Sequence, residues 1–100
     1  MRLGSILVDS GDMLPRDAAT AVGRNAARSI VVAFNGKGDI AVKITDDILE
    51  HFDARDLGRL ICERLGGKGG GVRDLFQGRL GRVSELEEVI KELLGALGTR

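Results

Sequence analysis

Metal and sulfur chemistry have little to work with in this chain. Cys62 is its only cysteine, so no internal disulfide can form, and its one histidine, His51, has no cysteine or second histidine near it at a zinc-ligand spacing. No metal site, cofactor or nucleophilic catalytic set is expected. Aromatic residues are confined to Phe34, Phe52 and Phe76, and proline to Pro15. No apolar run approaches the roughly 20 residues that cross a bilayer. The opening MRLGSILVDSGD also lacks the apolar core and cleavage site of a signal peptide. A cytoplasmic protein with no membrane partner is expected. Net charge is zero, which argues against a polycation wrapped by nucleic acid.

What is present suits one small domain: 100 residues, 43% apolar and 30% charged. Ser5-Ile6-Leu7-Val8 reads as a buried strand closed by the turn signal Asp9-Ser10-Gly11-Asp12. Pro15 then suits a first helical turn, and Ala18, Ala19, Ala21, Val22, Ala26 and Ala27 continue a small-residue helix to about Arg28. Gly23 costs such a helix about 1 kcal/mol relative to alanine unless it permits close approach to a sheet. Two strands, Ile30 to Phe34 and Asp39 to Ile44, flank the hairpin signal Asn35-Gly36-Lys37-Gly38. Asp53 can cap a helix carrying Leu57, Leu60, Ile61 and Leu65 and closed by Gly66. Val72 to Leu80 reads as an irregular or edge strand. Ser84 and Glu87 form a capping-box pattern ahead of Leu86, Val89, Ile90, Leu93, Leu94 and Leu97. The order predicts an α/β (α+β) domain over residues 1–100, with a mixed four-stranded sheet and helices mainly on one face.

The stretch GGKGGGVRDLFQG, Gly66 to Gly78, raises the functional question. Glycine costs more backbone entropy to order than any other residue, so such a density calls for a reason. It lies in the most basic window of the chain, where Arg64, Lys68, Arg73, Arg79 and Arg82 stand against Asp74. It is not a nucleotide loop. Phosphate loops and dinucleotide fingerprints precede a helix N-terminus, whereas these glycines follow a helix whose dipole end is negative, and no Ser or Thr follows the lysine. A bare-backbone loop at 66–71 flanked by cations remains, suited to approach a nucleic-acid backbone. The bland alternatives are a flexible connector and a solvated charged face. Phe76 suits the core better than a stacking role, and Cys62, on the helix of Leu57 and Ile61, reads as a small buried apolar residue.

These residues resemble the glycine-rich motif of the DHH-associated domain of alanyl-tRNA synthetases, with Gly66, Gly67, Gly69, Gly70, Gly71, Asp74, Gln77 and Gly78 matching. Val72-Arg73 departs from the usual Arg-Pro, and Phe76 from the usual alanine. The order of elements is similar over about residues 3–97. The resemblance implies a C-terminal domain with no catalysis of its own, part of an alanine–tRNA ligase, which holds the outer corner of tRNA and in some members dimerises. Its implied partners are tRNA, the catalytic and editing domains of the parent synthetase, and a second copy. Implied nucleic-acid contacts are Gly67, Lys68, Gly69, Gly70, Gly71, Arg73, Gln77 and Arg79; a dimer seam would use Leu86, Ile90, Leu93 and Leu97. The alternatives are the nucleic-acid-binding domain of a DHH phosphoesterase, whose glycine motif usually carries a histidine, and a pure dimerisation module.

Overall fold

In this computed structural model, residues 4–98 are described, with side chains for residues 4–95. The first strand, β1 (Gly4–Asp9), ends where the turn signal stands, and Ser10 Oγ donates to the Phe34 carbonyl to hold that exit against the next strand. Helix α1 (Pro15–Arg24) starts at the proline as expected. It stops at Asn25, short of the predicted Arg28, because the chain must turn there: Arg28 takes a φ of 49°. Asp47 accepts the Arg28 N–H at 2.9 Å and secures this turn. The residue at the start of α1, Leu14, offers no side-chain acceptor to the first turn, where Ser would contribute about 1 kcal/mol.

β2 (Ser29–Phe34) runs parallel to β1 and antiparallel to β3 (Asp39–Ile44), with the Asn35 side chain bridging the hairpin to the Lys37 and Asp39 amides. A single 3₁₀ turn at Asp46–Ile48 leads to α2 (Ala54–Leu65), whose cap is Asp53 as the sequence indicated. The next segment corrects the prediction. Gly67–Val72 is a strand, β4, paired antiparallel with β5 (Leu75–Leu80), so the sheet has five strands, not four, in the order β1-β2-β3-β5-β4. The expected glycine loop at 66–71 is therefore an edge strand apart from Gly66, and β5 is an interior strand. α3 (Leu86–Gly98) starts beyond Ser84, with the Leu86 N–H on the Val83 carbonyl.

Period-two alternation in β2 and β3 sends side chains to two different layers. Ile30, Val32, Ile40, Val42, Ile44, Phe76 and Leu80 face α2 and α3, meeting Leu57, Ile61, Leu65, Leu86, Val89 and Ile90. Val31, Ala33 and Ala41 face α1 and meet Ala18 and Ala19. Two of the helices share one face, and α1 alone covers the other. Alanines let α1 lie close to the sheet, and a Cβ at Gly23 would stand 3.1 Å from Lys43 Cγ, which explains that glycine. Each fully buried Val, Leu or Ile contributes about 1.5–3 kcal/mol, so the larger core on the α2/α3 face supplies most of the stability.

Candidate nucleic-acid interface

Three glycines of β4 are explained by packing. The Phe76 ring lies almost fully buried beneath the strand, and a Cβ placed at Gly58, Gly69 or Gly78 would come within 3.0 Å of it or closer. Cβ atoms at Gly67 and Gly71 would collide with the backbone of β5. The turn into the strand needs glycine as well, since Gly66 and Gly67 have φ of 73° and 148°. Gly70 is different. A Cβ there meets nothing within 4 Å, so no contact within the chain requires that position to be bare.

Pairing sets out the face on which Gly70 lies. The cross-strand rows run Asp39–Arg79–Lys68, Ala41–Gln77–Gly70 and Lys43–Leu75–Val72. Alanine and glycine flank Gln77, so the middle row is a shallow step with an amide at its centre. α1 covers the β3 end of these rows but leaves Gln77, Arg79, Lys68 and Gly70 exposed. Lys68 and Arg79 are directly opposed on neighbouring strands, an arrangement of like charges that costs stability. Asp39 approaches Arg79 at 3.7 Å and offsets one of the two; Lys68 has no ion pair among the described residues.

The basic window read from the sequence is thinner in three dimensions. Arg64 is bidentate to Glu92, and Arg82 lies 3.9 Å from Glu85. Lys68 and Arg73 are the two of its five cations without an ion pair among the described residues. Arg73 sits in the β4–β5 turn, and its carbonyl accepts the Ala54 N–H at 2.7 Å, which ties the hairpin to the start of α2. Asp74 ties the other side: its carboxylate takes Lys43 Nζ at 2.7 Å, and its carbonyl takes the Ile44 N–H. The lysine beside it holds the Asp74 carboxyl below its ordinary value. Asp74 is thus a fixture of the hairpin.

On the opposite side of β4, a groove of about 640 Å³ separates the strand from α2. Its walls include Arg55, Arg59, Cys62 and Glu63, with Phe76 in its floor. Arg55 and Arg59 were not singled out from the sequence; their spacing of four residues on α2 is the signal that places them on one wall. Both are engaged by acids, Arg55 with Asp53 at 2.6 Å and Arg59 with Asp56 at 2.9 Å. The Arg55 guanidinium pulls the Asp53 carboxyl down to about 2. Burial pushes the Cys62 thiol up, away from the thiolate form a nucleophile needs.

The proposed dimer seam is largely occupied at home. Leu86 and Ile90 are buried against the chain's own sheet and Leu93 is packed against the same core, while the Leu97 side chain lies outside the described residues. His51 is exposed beside Phe52.

No family model matches the sequence. It is 49% identical over 85 residues to the alanine–tRNA ligase of Thermofilum pendens, covering 85% of this chain and 9% of that protein. The ligases of Rhizobium meliloti and Pyrococcus abyssi are each 34% identical, over 85 and 68 residues. The chain therefore spans about one-tenth of the length of these relatives. Among solved structures, the fold is similar to the C-Ala domain of Aquifex aeolicus alanyl-tRNA synthetase, with a TM-score of 0.77 and 22% identity over 93% of this chain and 92% of that one. A DHH-domain structure is also similar, with a TM-score of 0.59 and 18% identity over 80% of this chain and 21% of that one.

Proposed function

We propose, from the premise that this chain is a DHH-associated domain of the kind found at the C-terminus of alanyl-tRNA synthetases, that it holds structured RNA, tRNA above all, on the uncovered face of the β4–β5 hairpin. The observation that carries the proposal is the row Lys68–Arg79 beside bare Gly70. Two like charges are opposed there at a cost to the fold, and an anion seated between them reverses that cost. A phosphodiester approaches the Gly70 main chain without meeting a side chain, Lys68 and Arg79 neutralise it, and the Gln77 amide supplies a hydrogen bond at the centre of the step. Arg73 extends the contact to the end of the hairpin. Recognition in this arrangement reads backbone shape more than base sequence. The parent protein, on this reading, is an alanine–tRNA ligase whose chemistry resides in other domains.

The test is a titration of the chain with folded tRNA at several salt concentrations. Lys68→Ala is expected to weaken binding and to reduce the slope of log affinity against log salt by about 1, the signature of one lost phosphate contact. An unchanged affinity and slope in a folded Lys68→Ala protein overturns the proposal. The sequence relatives favour this reading over the phosphoesterase alternative, since those reported above are alanine–tRNA ligases.

A further inference from the structure

The start of α1 disobeys the usual rules for a helix terminus twice in three residues. Leu14 occupies the cap, where Ser, Thr, Asp or Asn is preferred, and gives no side-chain hydrogen bond. Arg16 brings a positive charge to the end of the helix dipole that is already positive, and among the described residues its one ion pair is with the neighbouring Asp17, 3.4 Å away. Leu14 is also 55% exposed, so core packing does not explain the choice of an apolar residue. Departures of this kind concentrate where a surface serves something other than the fold.

Both residues line one groove. About 240 Å³ of open space lies between the start of α1 and β5, bounded by Leu14, Pro15, Arg16, Asp39, Gln77 and Gly78. The groove is continuous with the step described above, because Gln77 belongs to both. Its chemistry is divided: exposed Leu14 forms an apolar wall over the buried Pro15, while a carboxylate, an amide and a guanidinium stand around it. Asp39 is held in place by the Asn35 amide at 3.0 Å, so its carboxylate is a positioned acceptor.

We infer that this groove takes a nucleobase of the RNA whose backbone lies along the β4–β5 hairpin, with Leu14 against the flat face of the base and Gln77, Asp39 and Arg16 at its edge. A nucleobase fits the divided chemistry, since it has a broad apolar face and a rim of donors and acceptors. This inference rests on the proposal that the hairpin binds RNA and adds the base contact that a phosphate ledge alone lacks.

The experiment uses Leu14→Ser in the full chain, titrated with folded tRNA at several salt concentrations beside wild type and Lys68→Ala, with melting temperatures for all three. Serine supplies the missing cap, so Leu14→Ser is expected to melt at the same or a higher temperature. Loss of the apolar wall is expected to weaken binding about fivefold at every salt concentration, with an unchanged salt slope. Lys68→Ala, by contrast, changes the slope. If Leu14→Ser binds like wild type while Lys68→Ala is weakened, the base groove is refuted and the phosphate ledge stands. A Leu14→Ser protein whose loss disappears at high salt also refutes it, because the residue would then act through charge. Absence of saturable tRNA binding by the wild-type chain removes both readings together.

Discussion

Gly69 and Gly70 are chemically identical neighbours in opposite surroundings. At Gly69 a Cβ would lie 2.4 Å from the Phe76 ring and 2.5 Å from the Gln77 carbonyl oxygen. Gly69→Ala is therefore expected to destabilise the domain by about 1–3 kcal/mol through overpacking, and Gly58→Ala, which strikes the same ring, by a similar amount. Gly70→Ala meets open space and is expected to leave stability unchanged or raise it by about 0.5 kcal/mol, because it narrows the unfolded ensemble. Urea unfolding of the three variants checks the contrast, and equal losses at positions 69 and 70 would contradict it. Tested with tRNA, Gly70→Ala separates a bare backbone kept for contact from one kept for folding. The sequence displayed the glycines but not this division of labour, since it depends on where the Phe76 ring comes to rest.

At the scale of elements, α2 is anchored at its start by Asp53, which accepts the Arg55 amide at 2.9 Å and binds its guanidinium at 2.6 Å. The hydrogen bond from the Arg55 side chain is the largest cause of the lowered Asp53 value; burial opposes it, and the Arg55 backbone N–H lowers the value further. A carboxyl that ionises more readily when folded contributes stability that is present above its ordinary value of 3.8 and is lost as pH falls through about 2. The melting temperature is expected to fall across that window. Asp53→Asn keeps a capping oxygen but cannot ion-pair, so its melting temperature should fall less steeply over the same pH range; an unchanged pH profile would remove Asp53 from the account. This cap was legible because a helix N-terminus is a local event decided by a few adjacent residues. The strand β4 was not, because a run of glycine carries no side-chain alternation and its pairing with β5 is supplied by a neighbour. The capping pattern at Ser84 misplaced the start of α3 by a short distance for a related reason, the Val83 carbonyl capturing the Leu86 N–H.

The whole molecule carries no net charge, and most cations among the described residues are matched by acids within 4 Å. Long-range attraction of a polyanion is therefore weak, and the proposed RNA binding rests on local contacts. With Lys68, Arg73 and Arg79 as the phosphate contacts, the log affinity for tRNA is expected to fall with log salt at a slope of about −2 to −3. A slope near −8 would place the interface elsewhere or make it far wider. The arrangement of layers reinforces this local character: α1 on one face and α2 with α3 on the other leave only the β4–β5 end of the sheet uncovered on the α1 side.

From the order of residues alone came the strands and helices with strong periodicity, the Asn35-Gly36 hairpin, the Asp53 cap, the exclusion of nucleotide loops, and a resemblance carried by Gly66 to Gly78. All of these depend on neighbours within a few positions, where propensity and hydrogen bonding act directly. Tertiary structure alone decided that the glycines form a fifth strand, that Glu92 quiets Arg64 while Lys68 faces Arg79, and that Leu14 shares a groove with Gln77. Those facts join residues far apart in the chain, and the energies that join them, ring packing, cross-strand pairing and charge at a few ångströms, exist only once the chain has closed on itself.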